Sequence, residues 1–376
     1  MTTYRKSHAS VLRSAPGEYE PCVLEVEDPR PGEIMVRMVA VGLCHSDDHI
    51  TTGDFPVEML PMCGGHEGAG VVEKVGEGTT QFDIGDHVVL TFLPACGRCL
   101  WCSRGMQQLC DAGAYALTGS RFDDPTSYRM RLDGQPCGQQ LGLSAFSEYT
   151  TVSVQSAYKV PKDLPLNRLC LLGCAMGTGW GTAVNAAGVK PGHTVIVMGL
   201  GGVGAAAVQG AAHAGAANIL VVDPVAYKRE VAPVFGATEV FATMDEAAER
   251  ARSYTNGQGA DSTMITVGRM EPDNLSDAVE SIRKGGTVAM TSMGAFQPEK
   301  VSLDLSMVTL MQKTIKGVIY GNWSPFEAVP SMLSLYAGGQ LKTDEMVTRT
   351  YALDDIAQGY RDMKQGRNIR SIVEFG

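Results

Sequence analysis

The chain has 376 residues, with 31 basic against 41 acidic side chains and a formal net charge of -10. That length exceeds the usual single core, so two domains are expected, and the acidic balance argues against nonspecific attraction to nucleic acid or an anionic membrane. Apolar runs such as Val195 to Met198 are too short to span a bilayer, and the first residues show no apolar signal segment, so a reduced cytoplasmic setting is expected for the ten cysteines.

In chain order, residues 34–41 are β-branched and apolar in the manner of a strand, and they lead into Cys44-His45-Ser46-Asp47-Asp48-His49. Gly65-His66-Glu67 precedes a second such run at 68–75, and Gly85-Asp86-His87-Val88-Val89-Leu90 reads as a turn followed by a strand. This half is expected to be a compact β-rich domain carrying its chemistry on loops and strand ends. Cys96, Cys99, Cys102 and Cys110 come next, with Gly97 and Gly105 available for turns. Four thiolates at that spacing can close a tetrahedral zinc site and fold a short lobe around it. Iron-sulfur ligation and free thiols are the competing readings. A site closed by four cysteines has no position for substrate, so no catalytic role is expected of it.

Composition changes near Cys174. Strand-like Thr194 to Met198 runs into Gly199-Leu200-Gly201-Gly202-Val203-Gly204, an Ala-rich helical stretch to Ala214, and a second strand from Asn218 to Asp223. That is the strand, glycine turn, helix and strand of a mononucleotide-binding unit. Gly199 supplies the tight turn, Gly201 admits a pyrophosphate to the backbone, and Gly204 permits close helix–sheet packing. A phosphate would lie on the free N–H groups at the helix start. Asp223, about twenty residues beyond the turn, is expected to accept from the adenosine ribose and repel a 2'-phosphate, favouring NAD over NADP. Strand-like pieces at 263–267, 286–291 and 314–319 continue the sheet, and the tail after Tyr320 mixes helical and strand patterns.

Cys44, His66 and Cys174 are the expected ligands of a second, open zinc site, because two thiolates and an imidazole leave one position for water or an alcohol oxygen. A metal there can acidify an alcohol or polarise a carbonyl facing nicotinamide. Asp47 is the candidate acceptor for the other nitrogen of His66, and Glu67 is placed to shape the field at the metal. Ser46 and His49 form a candidate proton relay to solvent. A noncatalytic nucleotide-binding zinc protein would have little use for three further soft ligands and an adjacent hydroxyl. Metalloprotease chemistry is disfavoured, since His66-Glu67 is followed by Gly68, Ala69 and Gly70 with no second histidine.

Taken together, these motifs resemble the zinc-containing alcohol dehydrogenases of the medium-chain dehydrogenase/reductase family from about residue 8 to the C-terminus. The resemblance implies an α/β chain with a GroES-like catalytic domain at 1–178 and 320–376, its structural-zinc lobe at 94–112, and a doubly wound Rossmann domain at 179–319. It implies two zinc ions, NAD(H), and Lys228, Arg269 and Arg370 as further cofactor contacts, Lys228 beside the ribose and Arg370 near the pyrophosphate.

Position 45 departs from the family's commonest pattern, in which arginine joins Arg370 at the phosphates. His45 need not be charged, so weaker retention of cofactor is expected. Phe55 and Ala114 stand where the thiol-dependent formaldehyde dehydrogenase branch has charged groups, and Phe55 with Phe92 suggests an apolar alcohol or aldehyde substrate. The chain is also similar to the actinobacterial branch assayed with N,N-dimethyl-4-nitrosoaniline (NDMA), which implies an alternative nicotinoprotein that holds NAD(H) and passes electrons to a second acceptor. The long connection from Cys110 to Phe146 is similar to that of dimeric members, so a homodimer is expected.

Overall fold

The computed structural model describes residues 3–376. Five strands, Tyr4–Leu12, Tyr19–Glu27, Met130–Leu132, Gln135–Gln139 and Met62–Cys63, close into a small barrel in that order. Beside it a seven-stranded sheet is organised on Glu33–Leu43, which pairs with Glu67–Val75, Tyr149–Ser153 and Arg370–Glu374. Ile34, Met35, Val36 and Met38 are all buried, so this strand reads as a near-continuous apolar run rather than an alternating one, because both its faces are covered. The C-terminal strand Arg370–Glu374 lies antiparallel against Val41 and its neighbours, returning the tail to the first half of the chain.

The second unit is a six-stranded parallel sheet. Its spatial order is Glu239–Phe241, Asn218–Val222, Thr194–Met198, Ala260–Ile265, Ile282–Met290 and Thr314–Gly317. Numbered along the chain these strands run 3-2-1-4-5-6, the doubly wound order whose reversal point opens a crevice at the carboxyl ends of the first and fourth strands. Helix Gly202–His213 follows the first strand and is built almost wholly of Gly, Ala and Val, which lets helix Ala175–Gly181 lie close against it. A Cβ on Gly179 would overlap the Val203 carbonyl oxygen, so larger residues would push the two helices apart. Since Ala175–Gly181 begins at Cys174, this packing ties that cysteine to the glycine turn.

Strand ends expected at 267 and 319 fall at Ile265 and Gly317. The run expected at 263–267 ends as a strand at Ile265: the Thr266 N–H makes the last ladder bond, to Met198 O at 2.9 Å, and its hydroxyl turns back to Met198 O at 2.9 Å and Gly199 O at 2.8 Å. The hydroxyl bonds tie the strand end to the start of the glycine turn. The long connection after Cys110 carries structure of its own. It contains the hairpin Met130–Leu132 and Gln135–Gln139, turned by Asp133-Gly134 with φ of 53° and 76°, the combination that an Asp-Gly hairpin turn favours. Arg121 and Arg129 anchor it by bonding to buried Glu33 at 2.9 and 2.7 Å. Among the described residues no helix is long and apolar enough to cross a membrane.

Candidate active site

Cys44 sits at the N-cap of helix His45–Thr52, with extended backbone angles. Its N–H donates to the Asp47 carboxylate at 3.2 Å, and Asp47 also accepts from His66 Nδ1 at 2.7 Å and from the Tyr360 hydroxyl at 2.9 Å. Asp47 is fully buried, so these three donors satisfy a charge that would otherwise be costly to bury. They also leave His66 Nε2 as the ligating nitrogen. His66 itself precedes strand Glu67–Val75, and the preceding Gly65 has φ 87°, a conformation suited to glycine.

Cys174 arrives from the opposite side, at an irregular junction between the short helix Cys170–Gly173 and helix Ala175–Gly181. A Cβ at Gly173 would overlap the Leu90 carbonyl oxygen, so glycine there lets the chain press Cys174 against the strand that ends beside His66. One donor atom from each of Cys44, His66, Glu67 and Cys174 lies within 4.8 Å of the others, all in buried side chains. The Cys174 thiol hydrogen-bonds to Cys44, which holds the Cys44 pKa well below the usual thiol range and pushes that of Cys174 well above it. Burial opposes charge on His66, but the Asp47 carboxylate and Cys44 thiolate raise its pKa well above the usual value. A buried set of two sulfurs and an imidazole that retains protons in this way fits a divalent soft-ligand metal, which would replace those protons.

Glu67 is held differently. Burial raises its pKa to about 8 against the opposing charge of Arg370, whose guanidinium contacts Glu67 Oε2 directly. Glu67 Oε1 is buried without a hydrogen-bond partner, and one carboxylate oxygen of Glu67 lies within the donor set. The Arg370 side chain passes the glycine turn on its way to Glu67, since a Cβ on Gly202 would overlap its Cδ. One buried cation thus touches both the metal cluster and the phosphate cradle.

That cradle opens into a cavity of about 540 Å³ whose wall includes Cys44, Ser46, His49, Gly201, Asp223 and Arg370. At Gly199 φ is 93°, and a Cβ on Gly204 would overlap the Gly199 carbonyl oxygen, whereas one on Gly201 would meet nothing within 4 Å. The space beside Gly201 is therefore open for a ligand, and the other two glycines are demanded by the fold. Asp223 accepts from Leu200 N at 2.8 Å and Val225 N at 2.9 Å, with Lys228 Nζ 3.8 Å away. Two of its lone pairs are spent on the backbone, leaving others for a ribose.

His45 and Val203 also line this cavity. Burial depresses the His45 pKa to about 4, so the ring is neutral near pH 7. Ser46 Oγ lies 3.7 Å from Cys44 Sγ, and His49 Nε2 donates to the Gly268 carbonyl at 3.1 Å. Arg269 lines the same cavity, but its guanidinium pairs with Asp54 and Glu271. Phe92 meets the His66 ring edge-on with centroids 5.7 Å apart and touches Tyr320 on its other side. Phe55 pairs instead with Phe296. Ala114 lines a separate cavity beside the four-cysteine lobe.

In that lobe the sulfurs of Cys96 and Cys102 are 3.9 Å apart and those of Cys99 and Cys110 are 4.0 Å apart. The edge of a sulfur tetrahedron with ordinary zinc–thiolate bonds is about 3.8 Å, so the four fit one zinc ion. All four are free of disulfides. Backbone N–H groups point at the sulfurs, Cys96 N to Cys110 and Cys102 N to Cys99, and the pKa of Cys99 is lowered to about 6 by the N–H groups of Asp111 and Cys102.

Comparison with known proteins agrees with this geometry. Residues 30–162 match the alcohol dehydrogenase GroES-like domain and residues 202–337 the zinc-binding dehydrogenase domain. The chain is 46% identical over 370 residues to the NDMA-dependent alcohol dehydrogenase of Amycolatopsis methanolica, covering 98% of each. The chain belongs to the zinc-binding alcohol dehydrogenases of the medium-chain dehydrogenase/reductase family. It is 43% identical to alcohol dehydrogenase B of Mycobacterium bovis over 94% of each chain. Its fold superposes on the benzyl alcohol dehydrogenase of Acinetobacter calcoaceticus with a TM-score of 0.89 at 29% identity, covering 99% of this chain and all of that one. This alcohol dehydrogenase is therefore an α/β enzyme with a GroES-like domain and a Rossmann domain.

Several groups at the dehydrogenase's site carry no local sequence signal. Tyr360 bonds to Asp47 from 313 residues away. Thr266, Gly268 and Asp54 reach the cavity or its rim through tertiary packing alone. Away from the site, the hairpin at Asp133-Gly134 was also missed, although its dipeptide is a local signal.

Proposed function

We propose that this dehydrogenase oxidises apolar alcohols, and reduces the corresponding aldehydes, at an open zinc site formed by Cys44, His66 and Cys174, with Cys96, Cys99, Cys102 and Cys110 holding a second, structural zinc. The observation that carries the reading is the convergence of the three donors, one of which, Cys44, also lines the cavity that contains the glycine turn. When bound, zinc supplies Lewis acidity and NAD(H) the hydride acceptor or donor. Asp47 fixes the tautomer of His66, and Glu67 with Arg370 adjusts the charge beside the metal. Ser46 takes the substrate hydroxyl proton, and His49 passes it toward solvent. Gly199 to Gly204 receive the pyrophosphate on the helix N-terminus with Arg370 alongside, Asp223 and Lys228 hold the adenosine ribose, and Arg269 flanks the nucleotide. Phe92 beside His66, with Tyr320 packed on Phe92, supports an apolar substrate. Domain boundaries at 178/179 and 319/320 accord with the return of Arg370–Glu374 to the first sheet.

The similarity to an NDMA-dependent relative supports a second reading, in which NAD(H) stays bound and an external carrier accepts electrons. An alcohol panel on zinc-verified enzyme separates the two. Turnover with free NAD supports the exchangeable coenzyme, turnover only with an artificial acceptor supports the nicotinoprotein, and turnover with neither contradicts both. A neutral His45 favours exchange. His45→Arg is expected to slow NADH dissociation about tenfold by adding a bidentate phosphate partner, read by stopped-flow fluorescence. An unchanged rate removes that role for position 45.

A homodimer is the assembly we propose. Strand Thr314–Gly317 is an edge strand, and Leu305, Leu310 and Ile319 near it are exposed, which suits pairing with a second copy. Sedimentation at the mass of a single chain would contradict it.

A further inference from the structure

We propose that Asp54 is a positioning residue that clasps the two walls of the nucleotide cleft, holding the relay histidine on one wall and the cofactor-flanking arginine on the other. The inference rests on the roles proposed above for His49 and Arg269.

Helix His45–Thr52 carries both relay residues and is stopped by Gly53 at φ 80°, whose N–H returns to Ile50 O at 3.2 Å. That left-handed turn sends the next residue across the cleft. The Asp54 Oδ2 atom accepts from Arg269 Nε at 3.2 Å and from Thr52 Oγ1 at 3.1 Å, and stands 3.6 Å from His49 Nδ1. Its main-chain carbonyl accepts the Phe296 N–H at 2.9 Å. The neighbouring Phe55 meets Phe296 edge-on with centroids 4.9 Å apart. Three contacts of different kinds therefore cross from this one turn: a charge pair, a backbone hydrogen bond and an aromatic pair.

Their partners follow two strands of the parallel sheet, Arg269 after Ala260–Ile265 and Phe296 after Ile282–Met290. The Gly268 carbonyl, one residue before Arg269, accepts from His49 Nε2 at 3.1 Å. With Nε2–H committed to Gly268, Nδ1 offers Asp54 a proton only when the ring is the imidazolium, so the carboxylate and the carbonyl hold the ring from both sides in the form that carries the relayed proton. A residue serving only to cap its own helix would need the Thr52 bond and none of the others.

If Asp54 holds the cleft closed, neutralising it opens the exit for coenzyme. Asp54→Asn is expected to release NADH about fivefold faster than the wild type, the size set by a largely exposed charge pair. Asp54→Glu keeps the charge and is expected to return the rate to within about twofold. Placed in Arg269→Gln, Asp54→Asn is expected to add less than about a further twofold, because the pair is already broken. Release is followed by stopped-flow fluorescence on zinc-loaded, full-length enzyme. A wild-type rate in Asp54→Asn, no recovery in Asp54→Glu, or an undiminished effect in the Arg269→Gln background would overturn the clasp. A measurement independent of any Asp54 variant is the salt dependence, expected to be steeper in the wild type than in Arg269→Gln; equal slopes contradict the clasp. A wild type that binds no NADH would remove the functional reading and the clasp with it, whereas unchanged release in Asp54→Asn removes the clasp alone.

Discussion

Cys174→Ala is expected to lower kcat for alcohol oxidation by about 1,000-fold or more while leaving NADH binding within about threefold of the wild type. The magnitude follows from losing a Lewis acid that contributes several kcal/mol to charge stabilisation, at about 1.4 kcal/mol for each factor of ten. The selectivity follows from position. Cys174 begins the helix packed on Gly202–His213, but its sulfur faces Cys44 and His66 rather than the open space at Gly201. Zinc content should fall by one equivalent, with the four-cysteine lobe still loaded. Steady-state kinetics, NADH fluorescence and metal analysis on one preparation check all three statements. Activity within tenfold of the wild type would mean that the sulfur is not needed for the reaction.

The second large effect separates two glycines of one turn. Gly204→Ala places a methyl on the Gly199 carbonyl oxygen, with the Thr266 hydroxyl only 2.9 Å from the new carbon. Backbone must shift, so a loss of about 3 kcal/mol of stability is expected, with loss of NADH binding as the turn opens. Gly201→Ala meets no protein atom within 4 Å and has an ordinary negative φ of -88°. Its stability should stay within about 0.5 kcal/mol of the wild type, yet NADH affinity should fall at least about tenfold, because the methyl takes the space proposed for the pyrophosphate. Denaturant midpoints and NADH titration distinguish the cases. Equal stability of the two variants would contradict the steric account, and unimpaired NADH binding by Gly201→Ala would contradict the proposed cradle.

What could be read in the sequence was whatever depends on short spacing. The strand, glycine turn and helix from Thr194 to His213 are local, as is the spacing of the four-cysteine lobe, and each is visible as a pattern of a few residue types. The donor set at Cys44, His66 and Cys174 is not local, and only the chemistry of its members pointed to a shared site. Nothing near Asp47 announces Tyr360, because that hydroxyl arrives on a helix of the returning tail. The end of the strand at Ile265 was equally hidden, since it depends on the Thr266 hydroxyl reaching the carbonyls of Met198 and Gly199 on a neighbouring strand end. At Phe55 the aromatic character is legible in the sequence, but its packing partner Phe296 is not.

The central claim concerns one shared ion, and the most direct measurement is an anomalous difference map collected at the zinc absorption edge from crystals of the full-length enzyme. The account predicts two peaks per chain, one enclosed by the four sulfurs of the lobe and one bonded to Cys44 Sγ, His66 Nε2 and Cys174 Sγ with a fourth position facing the nucleotide cavity. A single peak in the lobe, or a second one permanently closed by Glu67, would contradict it.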